Sequence, residues 1–250
     1  MAATQSNAIQ SLYPSTKFYF VLFCMVSVFI IPNYWYAYAI LPLCMVLSYF
    51  AGCFKQFSNL SLKALSLIVV FIFILQSFFY PGTDVVWSFG IFAIKREGIL
   101  FSLALTSKIV AIGSAFILFF RTTNVKDMTY ALERLGIPPK VTFILLATLQ
   151  IIPEMKKLTY VIMDAQRTRG VETEGKLSVR IKAFLPTISP LILGSIANTE
   201  ERVLTLESRA FTANVKKTSL YTVHKTNADR IIAAILALLL IIIIAGRVVL

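Results

Sequence analysis

Residues 99–120 read ILFSLALTSKIVAIGSAFILFF and contain a single charged side chain, that of Lys108. A helix of this length extends about 33 Å, and a bilayer's hydrocarbon core is about 30 Å thick. We therefore predict a transmembrane helix over residues 99–120.

The rest of the chain supports the same class of fold. Four further apolar runs lie at residues 18–31, 34–54, 62–80 and 231–250. The chain is 58% hydrophobic and only 14% charged, whereas a soluble domain carries about 25% charge. These features predict an all-α, polytopic membrane protein with about five transmembrane helices, surrounded by lipid bilayer.

Charge is concentrated between the last two runs. Residues 121–230 hold 17 of the 24 Lys and Arg residues and 10 of the 12 Asp and Glu residues, a net charge of +7. A nucleic-acid surface is more often a stripe of one sign with aromatic neighbours, so we expect no nucleic-acid partner. The positive-inside rule places this segment and the N-terminus in the cytoplasm and the C-terminus outside.

The charge pattern predicts three segments: transmembrane helices 1–4 in residues 1–120, a cytoplasmic domain in 121–228, and a last transmembrane helix in 229–250. The apolar stretches 141–152 and 183–197 are too short to span comfortably. Prolines at 138, 139, 153, 186 and 190 predict helices that begin or kink repeatedly. Two long amphipathic helices are expected, lying on a membrane or a partner. Their apolar stripes are Ile151, Ile152, Met155, Leu158, Ile162 and Ala165, and Ile196, Val203, Leu206 and Ala210.

Within this domain, Gly170, Gly175 and Lys176 spell the G-x-x-x-x-G-K of a phosphate-binding loop. Such a loop needs a preceding strand and a Ser or Thr after the lysine. Here a helical pattern precedes, Leu177 follows Lys176, and Glu172 and Glu174 would repel phosphates. We predict that Gly170 instead follows a helix C-terminus as its C′ residue, with Arg167 and Arg169 in the last turn.

A second helix end repeats the pattern. Thr168-Arg169-Gly170 and Ser208-Arg209-Ala210 each place an arginine between small residues, which leave its guanidinium uncovered. An uncovered guanidinium can bind a carboxylate through two hydrogen bonds. The repeat predicts two matching arginine-tipped docking points.

Four stretches in this order resemble the transmembrane T component of energy-coupling factor (ECF) transporters, the EcfT or CbiQ family. They are Tyr13-Pro14-Ser15-Thr16-Lys17, FFRTTNVKDMTYALERLGIPPKV at 119–141, IIPEMKKLTYVIMDAQRTRG at 151–170, and TEERVLTLESRAF at 199–211. The sequence departs from the family pattern at Thr168, where Ala is commoner, at Ala210, where Gly is frequent, and at Gln150, where Arg is frequent.

The resemblance implies a function. In the family, coupling helices dock through x-Arg-x motifs onto two cytoplasmic ABC-type ATPases, and the matching residues here are Arg169 and Arg209. The predicted ATPase-docking set also includes Arg167 and the flanking residues Thr168, Gly170, Ser208 and Ala210. ATP-driven closure of the ATPases is transmitted to a separate substrate-binding membrane subunit, the S component. The implied protein lies in a prokaryotic cell membrane, performs no catalysis, and holds no cofactor or metal. Its transported compound, a vitamin or a metal ion, stays open.

Two other classes remain as alternatives. The permease of a conventional ABC importer carries E-A-A-x-x-x-G-x(9)-I-x-L-P, which Asp164-Ala165-Gln166 and Gly170 match only loosely. A membrane enzyme would need a pair of ionisable residues inside the membrane to share acid and base roles, and the sequence shows no such pair. Lys108 is expected to snorkel or to pair at a subunit contact, with a transport path as the lesser alternative. The single histidine, His224, is expected in a solvated loop.

Overall fold

The structure is a computed structural model, which describes residues 9–81, 85–89, 92–172, 175–213, 215, 223 and 225–249. Glu174 and His224 lie outside these residues, so the expectations for them stay predictions. The described part is helical apart from one small hairpin, which confirms the all-α class. Its elements are α1 (Pro14–Ile30), α2 (Tyr34–Phe50), α3 (Phe54–Phe79), β1 (Val85–Phe89), β2 (Phe92–Lys95), α4 (Arg96–Thr122), α5 (Val125–Arg134), α6 (Pro139–Thr168), α7 (Leu177–Ser208) and α8 (Asn227–Val249).

Four of the described helices are long and apolar enough to cross a membrane, namely α3, α4, α7 and α8. Three of them contain predicted runs, which confirms a polytopic membrane protein. The first two runs form α1 and α2, which are apolar but have only 17 residues each. The helix α7 satisfies the same criterion of length and composition, although the sequence predicts that it does not cross.

The chain divides into two compact units. One contains residues 1–131 and 223–250, and we call it the helical bundle unit. The other contains residues 132–222, and we call it the α6–α7 unit. The boundary at residue 131 falls inside α5, whereas the sequence predicts a boundary at residue 120.

Small residues of α4 organise the bundle unit. Gly98 packs so closely on α3 that an added Cβ would lie 2.9 Å from the carbonyl oxygen of Gln76. One turn later along α4, the hydroxyl of Ser102 lies 3.5 Å from the hydroxyl of Ser77, which also belongs to α3. Small side chains let helices approach closely where lipid supplies no hydrophobic driving force. The spacing of such residues along α4 therefore determines which face meets α3.

The helix α1 runs antiparallel to α4. Its first turn lies beside the end of α4, where the rings of Phe18 and Phe119 are 6.0 Å apart. Its last turn lies beside the middle of α4, where the Lys108 ammonium is 5.5 Å from the centroid of the Phe29 ring. The α1 helix consequently covers only the C-terminal half of α4.

Two side chains near the N-terminus bind helix C-termini of the bundle unit. The amide of Gln10 donates to the carbonyl oxygen of Ala51 after α2 at 2.8 Å. The buried ammonium of Lys17 donates to the carbonyl oxygen of Thr122, the last residue of α4, at 2.7 Å. The last carbonyls of a helix have no partner within the helix, so these contacts satisfy acceptors that would otherwise be unpaired.

One carboxylate joins two helix N-termini in the same unit. The buried Asp229 lies in the first turn of α8 and accepts from the backbone N–H of Thr226 at 2.9 Å. Its other oxygen accepts from the backbone N–H of Tyr13, which caps α1, also at 2.9 Å. Both helix dipoles favour a negative charge at this position. We call Gln10, Tyr13, Lys17 and Asp229 the helix-end cluster.

Two parts of the bundle unit extend beyond the apolar runs. The third helix begins at Phe54, before the run that starts at residue 62, because polar residues such as Gln56 and Asn59 are tolerated at the start of a helix that exposes them. The link before α4 forms an antiparallel hairpin in which Val85 pairs with Lys95 and Phe89 with Phe92. The run VVWSF is rich in β-branched and aromatic residues, and this composition is the signal that favours a strand.

In the α6–α7 unit, α6 continues through Pro153, and α7 continues through Pro186 and Pro190. Helices therefore do not begin at these three prolines, although Pro139 does stand at the start of α6. A proline removes one backbone hydrogen bond, and the bonds on either side keep the helix continuous.

Candidate functional site

The candidate site consists of the two helix ends that carry Arg169 and Arg209, and the packing of α6 on α7 determines their positions. These helices run antiparallel. The rings of Phe143 and Phe211 are 4.8 Å apart at one end of the pair. The amide of Gln166 donates to the carbonyl oxygen of Pro186 at 3.4 Å near the other.

Contacts between these two ends keep the pair together. The guanidinium of Arg202 forms an ion pair with the carboxylate of Glu154. One turn along α6, the side chain of Leu158 passes within 3.6 Å of where a Cβ on Gly194 would lie. All four contacts follow one antiparallel alignment, so the C-terminus of α6 lies at the opposite end from that of α7.

The two arginines are therefore far apart within the unit. Arg209 lies two residues before Phe211, at the level of Phe143 on α6. From Phe143 to Arg169 the chain advances 26 residues, which in a helix corresponds to about 39 Å along the axis. One antiparallel helix pair thus carries one arginine at each end.

The end of α6 is a Schellman motif. The backbone N–H of Val171 donates to the carbonyl oxygen of Gln166 at 3.1 Å, and that of Gly170 donates to the carbonyl oxygen of Arg167 at 3.0 Å. Gly170 has a φ of +85°, as the C′ position of this motif requires. The prediction that Gly170 follows the helix as its C′ residue is confirmed, and Arg169 takes the C-cap position.

The end of α7 has the same hydrogen bonds. The backbone N–H of Phe211 donates to the carbonyl oxygen of Leu206 at 2.9 Å, and that of Ala210 donates to the carbonyl oxygen of Glu207 at 2.9 Å. Arg209 takes the C-cap position, equivalent to that of Arg169. Ala210 occupies C′ with a φ of +54°, so it lies outside the helix and not on its apolar stripe as predicted.

The residues before the two arginines also match. The hydroxyl of Thr168 donates to the carbonyl oxygen of Ala165 at 2.8 Å, and that of Ser208 donates to the carbonyl oxygen of Thr205 at 3.0 Å. Each hydroxyl is thereby turned back onto its own helix. The hydroxyl is therefore already bonded to its own helix beside the neighbouring guanidinium.

The arginines themselves are exposed. In the described part of the chain, the side chains of Arg169 and Arg209 make no hydrogen bond or ion pair with another residue. Arg167 differs, because its guanidinium lies 3.2 Å from the Asp164 carboxylate one turn earlier. Two uncompensated guanidinium groups on rigid helix ends are suited to bidentate binding of carboxylates on another protein.

The apolar stripes predicted for α6 and α7 are only partly correct. On α6, the residues half-buried in the unit include Ile151, Met155, Leu158 and Ile162, as predicted, whereas Ile152 and Ala165 are exposed. On α7, Leu206 is half-buried, but Ile196 and Val203 are about half exposed, at 51% and 46%. The contact face of α7 passes through Gly194, and a residue two positions later points to the other side of a helix.

The G-x-x-x-x-G-K segment does not have the context of a phosphate loop. The helix α6 precedes Gly170, where such a loop needs a strand. Among the described residues, no group of three His, Cys, Asp or Glu side chains is placed to hold a metal ion.

Lys108 is the charged residue in the middle of α4, and it is half-buried. A lysine at the centre of a transmembrane helix costs about 2.5–3.5 kcal/mol. Its position over the Phe29 ring is a cation–π contact, which contributes up to about 2 kcal/mol when desolvated. The contact offsets a part of the cost.

The chain is similar in sequence to known membrane transport proteins. Residues 5–220 match the family model CbiQ, described as "Cobalt transport protein". The energy-coupling factor transporter transmembrane protein EcfT of Ruminiclostridium cellulolyticum is 28% identical over 233 residues, which is 89% of this chain and 86% of that protein. The proteins of the same description from Macrococcus caseolyticus and Brevibacillus brevis are 25% and 29% identical. The matches cover 84% and 73% of this chain and 83% and 72% of those proteins.

Membrane-spanning helices and this match define the class, a membrane protein of solute transport. The chain belongs to the CbiQ family, the transmembrane T components of ECF transporters.

Proposed function

We propose that this T component couples two cytoplasmic ABC-type ATPases to a substrate-binding S component in a prokaryotic cell membrane. The α6–α7 unit lies in the cytoplasm with the N-terminus, and the chain itself binds no nucleotide and catalyses no reaction. The observation that carries the proposal is the pair of equivalent, exposed C-cap arginines at opposite ends of one antiparallel helix pair.

Two equivalent ends are suited to two equivalent partners. Arg169, flanked by Thr168 and Gly170, docks on one ATPase, and Arg209, flanked by Ser208 and Ala210, docks on the other. Each guanidinium binds an acidic group in a groove of the ATPase surface, and Arg167 stabilises its own helix end through Asp164. A separation of about 39 Å gives each ATPase its own docking point, since helices of 30 residues or more set that span.

Motion then passes along the helices. When ATP closes the ATPase pair, both docked ends move with their partners, and the crossing angle between α6 and α7 changes. The S component responds to this movement. The choice of transported compound belongs to the S component.

Charge reversal at the docking points tests the proposal. In Arg169→Glu and Arg209→Glu, we expect each ATPase contact to be weakened at least about tenfold, because truncating one partner of a buried charge pair costs about 2–5 kcal/mol. The double variant is expected to lose ATPase association and uptake while remaining in the membrane. Quantitative co-purification from native membranes measures the ATPase content.

Lys156→Glu is the matched control. Lys156 is exposed in the middle of α6, about 20 Å along the helix from either C-cap. We expect wild-type ATPase content in this variant. Wild-type association and uptake in the double variant Arg169→Glu, Arg209→Glu would contradict the proposal.

A further inference from the structure

Lys108 lies deep in the membrane-spanning part of α4. Within the apolar run 99–120 it lies about 14 Å from one end and about 18 Å from the other, measured along the helix. Both distances exceed the reach of a lysine side chain. Snorkelling to either surface therefore does not remove its ammonium from the hydrocarbon region.

Within the described residues of the bundle unit, no carboxylate lies at this depth. The unit has four acidic residues, Asp84, Glu97, Asp127 and Asp229. Glu97 lies in the first turn of α4, about 16 Å along the helix from Lys108. Asp84 is outside the described residues, but it directly precedes Val85, whose strand partner is Lys95 at the start of α4.

The other two acids of this unit belong to the opposite end of α4. Asp229 binds the N-terminus of α1, and α5, which carries Asp127 in its first turn, begins after α4 has ended. Lys108 makes no ion pair with any residue that the structure describes, and among those residues its ring contact is with Phe29.

The surface around Lys108 can receive another helix. Ala104 and Ile112 lie one turn before and one turn after it on the same face of α4, and both are only half-buried. Phe29, which ends the cover provided by α1, is 64% exposed. A small residue such as Ala104 beside a polar one lets a second transmembrane helix approach closely. The face is therefore apolar and accessible, and Lys108 is the one charge on it.

We propose that Lys108 is the docking charge for a transmembrane helix of a second membrane protein, and that this helix carries an Asp or Glu at mid-membrane depth. The inference rests on the proposed function, in which that protein is the S component. A carboxylate on a helix can lie at any depth, whereas lipid phosphates lie at the membrane surface. The ammonium–carboxylate pair neutralises two charges that the bilayer disfavours separately.

Substitutions at Lys108 test this pairing in the complex purified from native membranes. Lys108→Met removes the charge and keeps an unbranched side chain, and it favours insertion because the bilayer no longer holds a charge. We expect the membrane partner recovered per T component to fall at least about tenfold in Lys108→Met and to stay near wild type in Lys108→Arg, since arginine keeps the charge that the carboxylate binds. ATPase content is expected to be unchanged in both.

Lys63→Met is the matched control, since Lys63 is an exposed lysine of α3. Carbodiimide coupling, which joins an ammonium to a carboxylate in contact with it, identifies the partner residue directly. We expect a cross-linked peptide that joins Lys108 to an Asp or Glu in an apolar segment of the membrane partner.

Wild-type recovery of the membrane partner in Lys108→Met, or equal loss in Lys63→Met, would overturn the inference. So would the absence of a Lys108 cross-link in a complex that contains the partner, as expected if a lipid phosphate were the counter-ion. Failure of the proposed function would give a different result, because the wild-type protein would then co-purify without ATPases.

Discussion

Arg169 and Arg209 occupy the same position in the same motif, but the residues that follow them differ. Gly170 adopts its positive φ without steric cost, whereas Ala210 has a Cβ and a φ of +54°. A left-handed conformation costs a non-glycine residue about 1–2 kcal/mol. The end of α7 is therefore strained, and that of α6 is not.

This difference predicts opposite effects of two substitutions. Ala210→Gly should stabilise its helix end by about 1 kcal/mol, and Gly170→Ala should destabilise the other by a similar amount. No atom lies within 4 Å of a Cβ added at Gly170, so the effect there is one of backbone conformation. Hydrogen exchange of the Phe211 and Val171 amides, which donate the long Schellman bonds, should slow and accelerate by about fivefold, respectively. Equal exchange in wild type and both variants would show that the strain is absent.

The positions of these residues could be predicted from the sequence to a large extent. Small-Arg-small followed by the loss of a helical pattern places both arginines at helix ends, because the end of a helix is set by the local backbone, as the glycine at C′ of α6 illustrates. Their separation could not be predicted in the same way. It depends on the antiparallel contact of α6 with α7, and the apolar residues of α7, such as Ile196, did not reveal its contact face.

At the scale of elements, the helix-end cluster connects the bundle unit. Its members satisfy backbone groups at the C-termini of α2 and α4 and at the N-termini of α1 and α8. The sequence showed Tyr13–Lys17 as a recognisable opening, but not its partners, since Asp229 is more than 200 residues away.

Asp229→Asn tests the strength of this connection. The amide has one oxygen where the carboxylate has two, so one of the N–H groups of Tyr13 and Thr226 loses its acceptor. An unsatisfied buried donor costs about 1–3 kcal/mol. For a chain of 250 residues we expect the thermal midpoint of the purified protein to fall by about 2–12 °C. Arg230→Gln, a change at the exposed neighbouring residue, should leave the midpoint within about a degree of wild type.

Other elements show where sequence patterns were insufficient. The apolar runs located α3, α4 and α8 because a long hydrophobic segment has few alternatives in a bilayer. The start of α3 was missed because helix continuation into polar residues leaves no change of composition. The prolines of α7 suggested breaks, yet Pro186 and Pro190 lie within one continuous helix.

On the scale of the whole molecule, two units divide the work that we propose. The bundle unit holds the small-residue contacts of α4 and the mid-helix Lys108, and the α6–α7 unit holds the two arginine-tipped ends. Membership of the CbiQ family is established by a match over residues 5–220. The central claim is that each arginine-tipped end contacts a different ATPase subunit.

Site-directed cross-linking tests this claim most directly. Cysteines introduced as Thr168→Cys and Ser208→Cys stand beside the two arginines. The native Cys24 and Cys44 are buried, and the half-buried Cys53 is replaced by serine. The ATPases carry a cysteine near their docking grooves, and the native complex is treated with a short thiol cross-linker. We expect one ATPase to become attached to each single variant. The double variant should attach two ATPase chains to one T component. A complex that contains both ATPases but yields no attachment at either position would contradict the account.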